Sequence, residues 1–508
     1  MNSSIKVNAA QVECEISPMI YGHFIENMGR CIYGGILQNE RPGRIGGPWR
    51  RRDDLLEAVK ELKPPVIRWP GGLYADGYDW RDGVGPREAR PLRRNRYWSR
   101  FGPFTRVLDP HWFGTHEYMD FVRELETEPY INVNFGTGTA PEAARWVEYV
   151  NGPADTLEGS RRADYGEPEP WGVRYWGIGN EMYAIWTLGH SGPRDYARRF
   201  LEYRQAMESV DQGLSFVAVG ADTAFSETWN REVMSVAGDK IDLLSIHVYL
   251  PGPEHQAGFT AYRLRHGSTG LYAPIVAASV EIETRLRDAW KDVEAVMGPD
   301  SDVVIALDEW NLWWRLSQLI VPKYTLRDAL FICGTFHALH RTSEFVKMAN
   351  IAQLVNILGV LSARGPRFYR SPLYYAFQMY ATLAGPLRIA TSTQCDSFAC
   401  PRLGGIREMS DVPVLDCSAT VSADGDILTL FMINRNASDA VEVDIEIEGF
   451  DPNGDVEVHC LDGPSAEAFN WYGRDEVVRI DKSVMDAGNV LPRYRLPAHS
   501  ATALVMKK

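Results

Sequence analysis

Two stretches of this 508-residue chain each carry a glutamate directly after a run of strand-forming residues. Glu181 comes shortly after 174–178 (RYWGI), and Glu309 comes shortly after 303–307 (VVIAL). At such a position the sheet fixes the backbone while the carboxyl points above it. Aromatic residues follow both glutamates, and burial against aromatic rings raises the pKa of a carboxyl. One protonated and one ionised carboxyl, facing each other across a sugar, are the groups that glycoside hydrolysis uses.

A single Asn-Glu pair at a strand end is more often a hydrogen-bonded turn than an active site. Here the pattern occurs twice, because Asp308-Glu309 repeats the arrangement of Asn180-Glu181. The repetition favours a catalytic pair over two unrelated turns.

The elements that must position these residues form an alternating series. Eight strand-like stretches alternate with seven amphipathic ones, which predicts an α/β protein with a (β/α)8 TIM barrel. The predicted strands are Met19–Phe24, Pro65–Trp69, Tyr130–Asn134, Arg174–Ile178, Ser215–Gly220, Leu243–His247, Asp302–Leu307 and Phe345–Ile351. The predicted helices are Asp53–Leu62, Thr115–Glu126, Pro141–Asn151, Pro193–Val210, Glu227–Ala237, Ala277–Val296 and Thr325–His340.

Polar candidates collect after these strands, where such barrels carry their chemistry. They are Glu26 after the first strand, Glu181 after the fourth, His247 and Tyr249 at the end of the sixth, Glu309 after the seventh and Gln353 after the eighth. All are therefore expected on one rim of the barrel.

After about residue 382 the pattern changes to strict alternation. In 441–450 (VEVDIEIEGF) apolar and acidic residues occupy opposite faces, and turn signals separate similar stretches. This predicts a C-terminal antiparallel β-sandwich (jelly-roll-like) domain. Support of the barrel is the favoured role, and polysaccharide binding is the alternative.

Composition excludes several classes of function. The net charge of −14 disfavours nucleic-acid binding. Seven scattered cysteines without zinc-ligand spacing predict neither a disulfide framework nor a metal, and no cofactor is expected. The first residues lack the apolar core of a signal peptide and no long apolar run suggests a membrane span, so a cytoplasmic location is predicted.

Eight motifs, in order, resemble glycoside hydrolase family 51, whose best-known members are α-L-arabinofuranosidases. They are YGHFIENMGRCIYGGI (21–36), RWPGG (68–72), YDWRDGVGP (78–86), FGTHEYMDF (113–121), NFGTGT (134–139), GNEM (179–182), DEWNLWW (308–314) and KMANIAQLVN (347–356). The resemblance implies a catalytic barrel over residues 15–382 and a β-sandwich over 383–508. It also implies that the N-terminal strand, within residues 1–14, joins the sandwich.

The resemblance implies that Glu181 is the general acid/base and that Glu309 is the nucleophile. Tyr249 matches a tyrosine that contacts the nucleophile. His247 matches a histidine two residues before it, and a purely supporting role is its alternative. Positions that bind the sugar hydroxyls correspond to Glu26, Asn180 and Gln353, and aromatic walls correspond to Trp186 and Trp313.

Two positions depart from the family pattern. Leu73 stands where the family usually has an asparagine or cysteine that faces the sugar, and Tyr183 replaces a common acidic residue. Both changes make the site more apolar and leave the exact sugar open. The glycine-rich segment 251–274 is a candidate lid or leaving-group site.

The leading hypothesis is a retaining enzyme that releases terminal α-L-arabinofuranosyl residues from arabinan or arabinoxylan oligosaccharides. An endo-β-1,4-glucanase or a β-xylosidase with the same chemistry is an alternative, because Leu73 alters the sugar site. A non-catalytic carbohydrate-binding protein is a further alternative, against which the two glutamates argue. The resemblance also implies a homo-oligomer, often a hexamer.

Overall fold

A closed parallel barrel and a mostly antiparallel sheet make up the protein. The computed structural model describes residues 3–40, 49–104, 107–320, 322–474, 476–491 and 493–508. Residues 1 and 2 of the predicted N-terminal segment therefore lie outside the described residues.

The barrel has eight parallel strands that follow one another around it in chain order. The strands are β2 (Gly22–Phe24), β3 (Val66–Trp69), β4 (Glu128–Val133), β5 (Tyr175–Ile178), β6 (Ser215–Val219), β7 (Leu243–Pro251), β8 (Val304–Trp313) and β9 (Val346–Ala352). β9 pairs with β2 and closes the ring. The predicted (β/α)8 barrel is confirmed.

Helices surround the barrel and, with one short exception, lie between its strands or directly after them. They are α1 (Asp53–Lys60), α2 (Thr115–Glu124), α3 (Ala140–Asn151), α4 (Leu157–Asp164), α5 (Pro193–Glu208), α6 (Trp229–Ala237), α7 (Gln256–His266), α8 (Tyr272–Met297), α9 (Leu326–Arg341) and α10 (Pro372–Leu383), with α11 (Ala487–Val490) in the sheet region. Sequence analysis missed α4, α7, α10 and the short α11. No helix within the described ranges is both long and apolar enough to cross a bilayer.

Nine strands form the second body. They are β1 (Ser3–Glu15), β10 (Leu387–Gln394), β11 (Leu415–Val421), β12 (Ile427–Asn434), β13 (Val441–Glu448), β14 (Asp455–Asp462), β15 (Arg479–Asp486), β16 (Tyr494–Leu496) and β17 (Ser500–Lys507). Their order is β15-β14-β17-β12-β11-β10-β1-β13-β16. Four two-stranded ribbons lie outside both bodies: Leu37–Asn39 with Trp49–Arg51, Arg93–Arg94 with Leu108–Asp109, Leu361–Arg364 with Arg367–Arg370, and Ser397–Cys400 with Met409–Pro413.

The sheet curls over its own core, which explains the alternating sequence. Ile5 of β1 and Val443 of the neighbouring strand β13 share one buried cluster with Val456 of β14, although β14 is five strands away from β1 in the sheet order. Strands this distant share a core only when the sheet folds back on itself, as in a sandwich. One pairing differs from the antiparallel prediction, since β1 runs parallel to β13. β1 comes from the far end of the chain, so no hairpin turn dictates its direction.

An ion-pair cluster fastens the sheet to the barrel. Asp416 of β11 accepts hydrogen bonds from Arg341, at the end of α9, at 2.9 Å and from Arg435, after β12, at 2.6 Å. Arg435 also contacts Ser279 of α8 at 3.3 Å. Burial alone would raise the pKa of Asp416, but the two guanidinium groups hold it well below its usual range. The carboxylate is therefore ionised wherever the protein is folded at neutral pH.

Asp416→Asn should lower the free energy of unfolding by about 3–5 kcal/mol, because it leaves two largely buried cations without their shared anion. Urea unfolding at neutral pH measures this change. Glu446→Gln is the matched control, because Glu446 pairs with Lys6 on the surface, where both side chains are more than half exposed. The control should change the unfolding free energy by less than about 1 kcal/mol. Equal effects in the two variants would contradict a fastening role for Asp416.

Candidate active site

The two predicted glutamates face each other at the carboxyl end of the barrel. Glu181 follows β5, and Glu309 lies within β8. One oxygen of each carboxyl and a ring nitrogen of His247 all lie within 4.8 Å of one another. Residues separated by more than a hundred positions in the chain thus share one small site.

A tight turn presents Glu181. After Ile178 ends β5, Gly179 has a φ of 87° and Glu181 a φ of 48°. A positive φ favours glycine and is uncommon for a glutamate, so the backbone at Glu181 is strained. Such strain concentrates at functional sites, where the surrounding structure holds it in place.

A bulge presents Glu309. Ser245 of β7 pairs with Ala306 of β8, but His247 pairs with Glu309, so β8 contains one extra residue between these two pairs. In a regular strand the side chains of consecutive residues point to opposite faces of the sheet. The bulge changes this direction, so the side chains of Asp308 and Glu309 both reach groups inside the barrel. Asp308 accepts hydrogen bonds from Ser245 at 2.5 Å and from Tyr130 at 2.8 Å. The sequence prediction that the strand stops at Leu307 was wrong, because pairing with β7 continues to Trp313.

Arg68 connects the elements of the site. Its guanidinium donates to Glu309 Oε1 at 2.6 Å and to Asn180 Oδ1 at 2.8 Å, and it lies 3.5 Å from Asp308 Oδ2. It also lies over the ring of Phe24, 4.9 Å from the ring centre. Sequence analysis gave Arg68 no role beyond its place in RWPGG. An arginine in a barrel strand was the available signal, because a buried guanidinium needs carboxylate partners.

The second oxygen of Glu309 accepts a hydrogen bond from Tyr249 at 2.8 Å. The backbone of Gly72 comes close on the other side, where an added Cβ would lie 2.9 Å from Glu309 Oε1. Gly72, the second glycine of RWPGG, therefore lets the backbone lie close to the carboxylate of Glu309. These contacts hold the carboxylate in one orientation.

His247 lies between three carboxylates. Its Nδ1 is 3.0 Å from Glu181 Oε1 and 3.7 Å from Glu309 Oε2, and its Nε2 is 3.4 Å from Asp308 Oδ1. Burial alone would lower the pKa of His247, but the surrounding carboxylates raise it to about 10. Burial would likewise raise the pKa of Asp308, but Arg68 and His247 bring it to about 2. The imidazole is therefore a cation at neutral pH.

The pKa of Glu181 shifts in the direction opposite to the sequence prediction. Burial, the largest single influence, raises the pKa of Glu181, but the hydrogen bond and charge of His247, together with Trp186 and Arg68, lower it overall. Trp186 Nε1 also donates to Glu181 Oε2 at 3.1 Å and favours the ionised form. The proton shared by this pair therefore resides on His247.

A further carboxyl group, that of Glu26, lines the same cavity. Glu26 accepts hydrogen bonds from the backbone of Tyr74 at 2.8 Å, from the indole of Trp98 at 2.9 Å and from Gln353 at 3.2 Å. Burial, and then the nearby charge of Glu309, raise the pKa of Glu26 to about 8. At neutral pH this group is largely protonated, so it can donate a hydrogen bond as well as accept one.

A cavity of about 250 Å³ opens above the glutamates. All predicted site residues except Asn180 line it: Glu26, Leu73, Glu181, Trp186, His247, Tyr249, Glu309, Trp313 and Gln353. Asn180 lies behind them and binds Arg68 through its oxygen, while its buried Nδ2 has no hydrogen-bond partner among the described residues. The candidate lid folds largely as α7, and its cavity contacts come from Pro253 and Glu254.

The trio of Glu181, His247 and Glu309 also has the atom types of a metal site. Both oxygens of Glu309 already accept hydrogen bonds, from Arg68 and Tyr249, and a cationic His247 offers no lone pair to a metal. This arrangement does not fit a divalent cation well. The expectation that the enzyme uses no metal stays a prediction.

Comparisons with known proteins agree along the whole chain. Residues 58–266 match the family model described as Alpha-L-arabinofuranosidase 1 domain, and residues 308–500 match Alpha-L-arabinofuranosidase C-terminal domain. A protein of Aspergillus fumigatus named probable alpha-L-arabinofuranosidase C is 34% identical, over 99% of this chain and 97% of that protein. Bacillus subtilis (strain 168) has a 28% identical relative named intracellular exo-alpha-(1->5)-L-arabinofuranosidase 1, with 91% of each chain covered.

A solved structure gives the same result. The thermostable family 51 alpha-L-arabinofuranosidase from Thermotoga petrophila RKU-1 is 33% identical and covers 100% of both chains, with a TM-score of 0.84. The chain therefore belongs to the α-L-arabinofuranosidase family, glycoside hydrolase family 51.

Proposed function

We propose that the protein is a retaining, exo-acting α-L-arabinofuranosidase in which Glu309 is the nucleophile and Glu181 the general acid/base. The observation that carries the proposal is the approach of the two carboxyl groups. One carboxylate oxygen of Glu181 lies within 4.8 Å of one carboxylate oxygen of Glu309. Retaining glycosidases hold their carboxyls about 5–5.5 Å apart, whereas inverting enzymes leave about 6.5–9.5 Å for a water molecule. The names of the family relatives support arabinofuranose as the sugar.

In the first step Glu309 attacks the anomeric carbon, and the bond from that carbon to the leaving oxygen breaks. The carboxylate is suited to attack because Arg68 and Tyr249 fix its orientation. The product of this step is a glycosyl ester on Glu309, and the leaving oxygen needs one proton.

Glu181 supplies that proton with the help of His247. The Nδ1 proton of His247 is 3.0 Å from Glu181 Oε1 and passes to it as Glu181 protonates the leaving oxygen. In the second step Glu181 accepts a proton from water, the water oxygen attacks the anomeric carbon, and the ester bond to Glu309 breaks. His247 recovers its proton from Glu181, so the site returns to its starting state.

The groups facing Glu181 and Glu309 would hold the sugar. Glu26 and Gln353 offer hydrogen-bonding atoms in the cavity lining, whereas Asn180 binds Arg68 and does not line the cavity. Leu73 lines the same cavity but makes no hydrogen bond through its side chain. A sugar hydroxyl that faces Leu73 must therefore keep a water molecule as its partner or lose its hydrogen bond. A hydroxyl buried without a partner weakens binding by about 1–3 kcal/mol.

The lining of the cavity supports exo action. Segments at the ends of β2, β3, β5, β6, β7, β8 and β9 all contribute to its walls. A cavity with walls from this many segments favours the end of a chain, whereas an endo-acting glucanase needs a groove open at both ends. A cytoplasmic location is supported by the name of the Bacillus subtilis relative. A homo-oligomer, with a hexamer as the leading size, rests on the family resemblance alone.

The test of the function is a substrate panel. The wild type should hydrolyse 4-nitrophenyl α-L-arabinofuranoside with a kcat/KM at least about tenfold above that for 4-nitrophenyl β-D-xylopyranoside, because the relatives are named for arabinofuranoside hydrolysis. Carboxymethylcellulose should be left intact. Higher activity on the xyloside or on carboxymethylcellulose would identify a β-xylosidase or an endo-glucanase instead.

Site variants provide the controls for this test. Glu309→Ala should lower kcat by more than about 1,000-fold, because the nucleophile is lost. Azide should partly restore Glu181→Ala with the nitrophenyl substrate, because azide attacks the glycosyl ester without a general base. Glu202→Gln, an exposed position on α5, is the matched control and should keep wild-type activity. Full activity in Glu309→Ala would remove the role assignment.

His247→Gln should move the alkaline limb of the kcat/KM profile to lower pH by about 1 unit or more. The shift is toward lower pH because the pKa of His247 is raised to about 10, so in the wild type the pair of His247 and Glu181 keeps its proton well above the pH at which histidine usually loses it. The rate at neutral pH should also fall by about 10–100-fold, as expected when proton transfer is impaired. Tyr249→Phe is the matched control, because Tyr249 bonds Glu309 and not Glu181, and it should lower the rate without moving this limb. An unmoved alkaline limb in His247→Gln would contradict the proton-sharing role.

A further inference from the structure

The outer part of the cavity differs from its base, because aromatic and aliphatic side chains form its mouth. Phe101, Trp186 and Phe225 line the cavity and are 42%, 43% and 48% exposed. Ile185, beside Trp186, is 83% exposed. Exposed apolar side chains gathered at the opening of a pocket indicate a binding surface more strongly than the same residues scattered singly.

The rings at this mouth contact one another. Phe225 lies 6.1 Å from Tyr183 and 6.2 Å from Trp186, measured between ring centres. Tyr183 is in turn 5.7 Å from Trp229, which is buried. The surface therefore continues from the buried core of the barrel to solvent on the side where the leaving group departs from Glu181.

A buried ion pair holds the segment that carries Phe225. Asp222 accepts a hydrogen bond from the Arg285 guanidinium, and the backbone N–H of Phe225 donates to the carbonyl of Asp222 at 2.8 Å. Arg285 also bonds Glu281 at 2.9 Å and the carbonyl of Gly405 at 2.6 Å. The position of Phe225 is thus fixed before any ligand arrives, which lowers the entropy lost on binding.

Hydrogen-bonding groups concentrate at the other end of the cavity. The carboxyl, imidazole and amide side chains among its described lining residues are Glu26, Glu181, His247, Glu309 and Gln353 at the base and Glu254 at the mouth, and the phenol groups are those of Tyr97, Tyr183 and Tyr249. Glu254 is partly exposed and lies 3.4 Å from His255. A second sugar in the mouth would bring several hydroxyl groups against apolar walls, where an unpaired hydroxyl is unfavourable.

We propose that the leaving-group side of the site binds an aromatic or aliphatic alcohol, so that the preferred substrates are α-L-arabinofuranosides of apolar aglycones rather than arabinose-containing oligosaccharide chains. This inference rests on the proposed function, because it concerns the leaving group of the same reaction. Apolar rings at the mouth gain contact area with an apolar aglycone and demand no hydrogen bonds from it. The reaction itself is unchanged, and water still receives the arabinosyl group.

A series of arabinofuranosides with primary alcohols as leaving groups tests the preference. Methyl, hexyl, 6-hydroxyhexyl and 2-phenylethyl α-L-arabinofuranosides have leaving groups of similar acidity, so differences in kcat/KM report binding at the mouth. We expect hexyl and 2-phenylethyl substrates to exceed methyl by at least tenfold, and hexyl to exceed both 6-hydroxyhexyl and α-1,5-linked arabinobiose. A hexyl-to-methyl ratio near one, or a higher kcat/KM for arabinobiose than for the hexyl substrate, overturns the proposal.

Variants locate the effect. Phe225→Ser and Phe101→Ser should each lower the hexyl-to-methyl ratio by at least threefold, and both positions are exposed enough for serine to be tolerated. Leu157→Ser on α4 is the matched control, because Leu157 is 61% exposed and is not among the lining residues. An unchanged ratio in both phenylalanine variants, or an equal fall in the control, overturns the assignment of the mouth. Failure to cleave any arabinofuranoside, including the 4-nitrophenyl one, would instead refute the proposed function.

Discussion

Two cations compensate three carboxylates inside the barrel, and the arrangement of the site depends on this compensation. Arg68 contacts Glu309 and Asp308, and His247 lies between Asp308, Glu309 and Glu181. Acidic groups this close and this buried repel one another unless cations face them. Because Arg68 also bonds Asn180, the same guanidinium ties β3 to the segment of the acid/base and to β8. The site is therefore one electrostatic unit.

The division of labour between the carboxyl groups follows from their neighbours. Glu309 is bonded by a guanidinium and a phenol, which stabilise the anion. Glu181 is bonded by an imidazolium that can transfer its proton, and by an indole that cannot. Glu26 has neutral donors around it, and its pKa rises to about 8 because burial dominates. Similar side chains thus acquire different protonation states, as the chemistry of a double displacement requires.

Local patterns made the barrel and the glutamate pair predictable from sequence. Strands such as 303–307 and helices such as α9 are encoded by nearby residues, and the rim position of Glu181 and Glu309 follows from strand order. Properties that depend on distant residues were not predictable. Arg68 meets Glu309 across 241 positions, and the pKa of Glu181 depends on His247 66 positions away. The bulge in β8 and its extension to Trp313 arise from pairing with β7, which the sequence of β8 alone does not reveal.

The stereochemistry of the reaction tests the central claim most directly, because the separation of the two carboxyls determines it. Proton NMR spectra recorded within the first minutes of hydrolysis of an α-L-arabinofuranoside identify the anomer released before mutarotation. The approach of Glu181 and Glu309 to within 4.8 Å predicts that α-L-arabinofuranose appears first. Initial release of the β anomer would mean direct attack by water, and Glu309 would then not be the nucleophile.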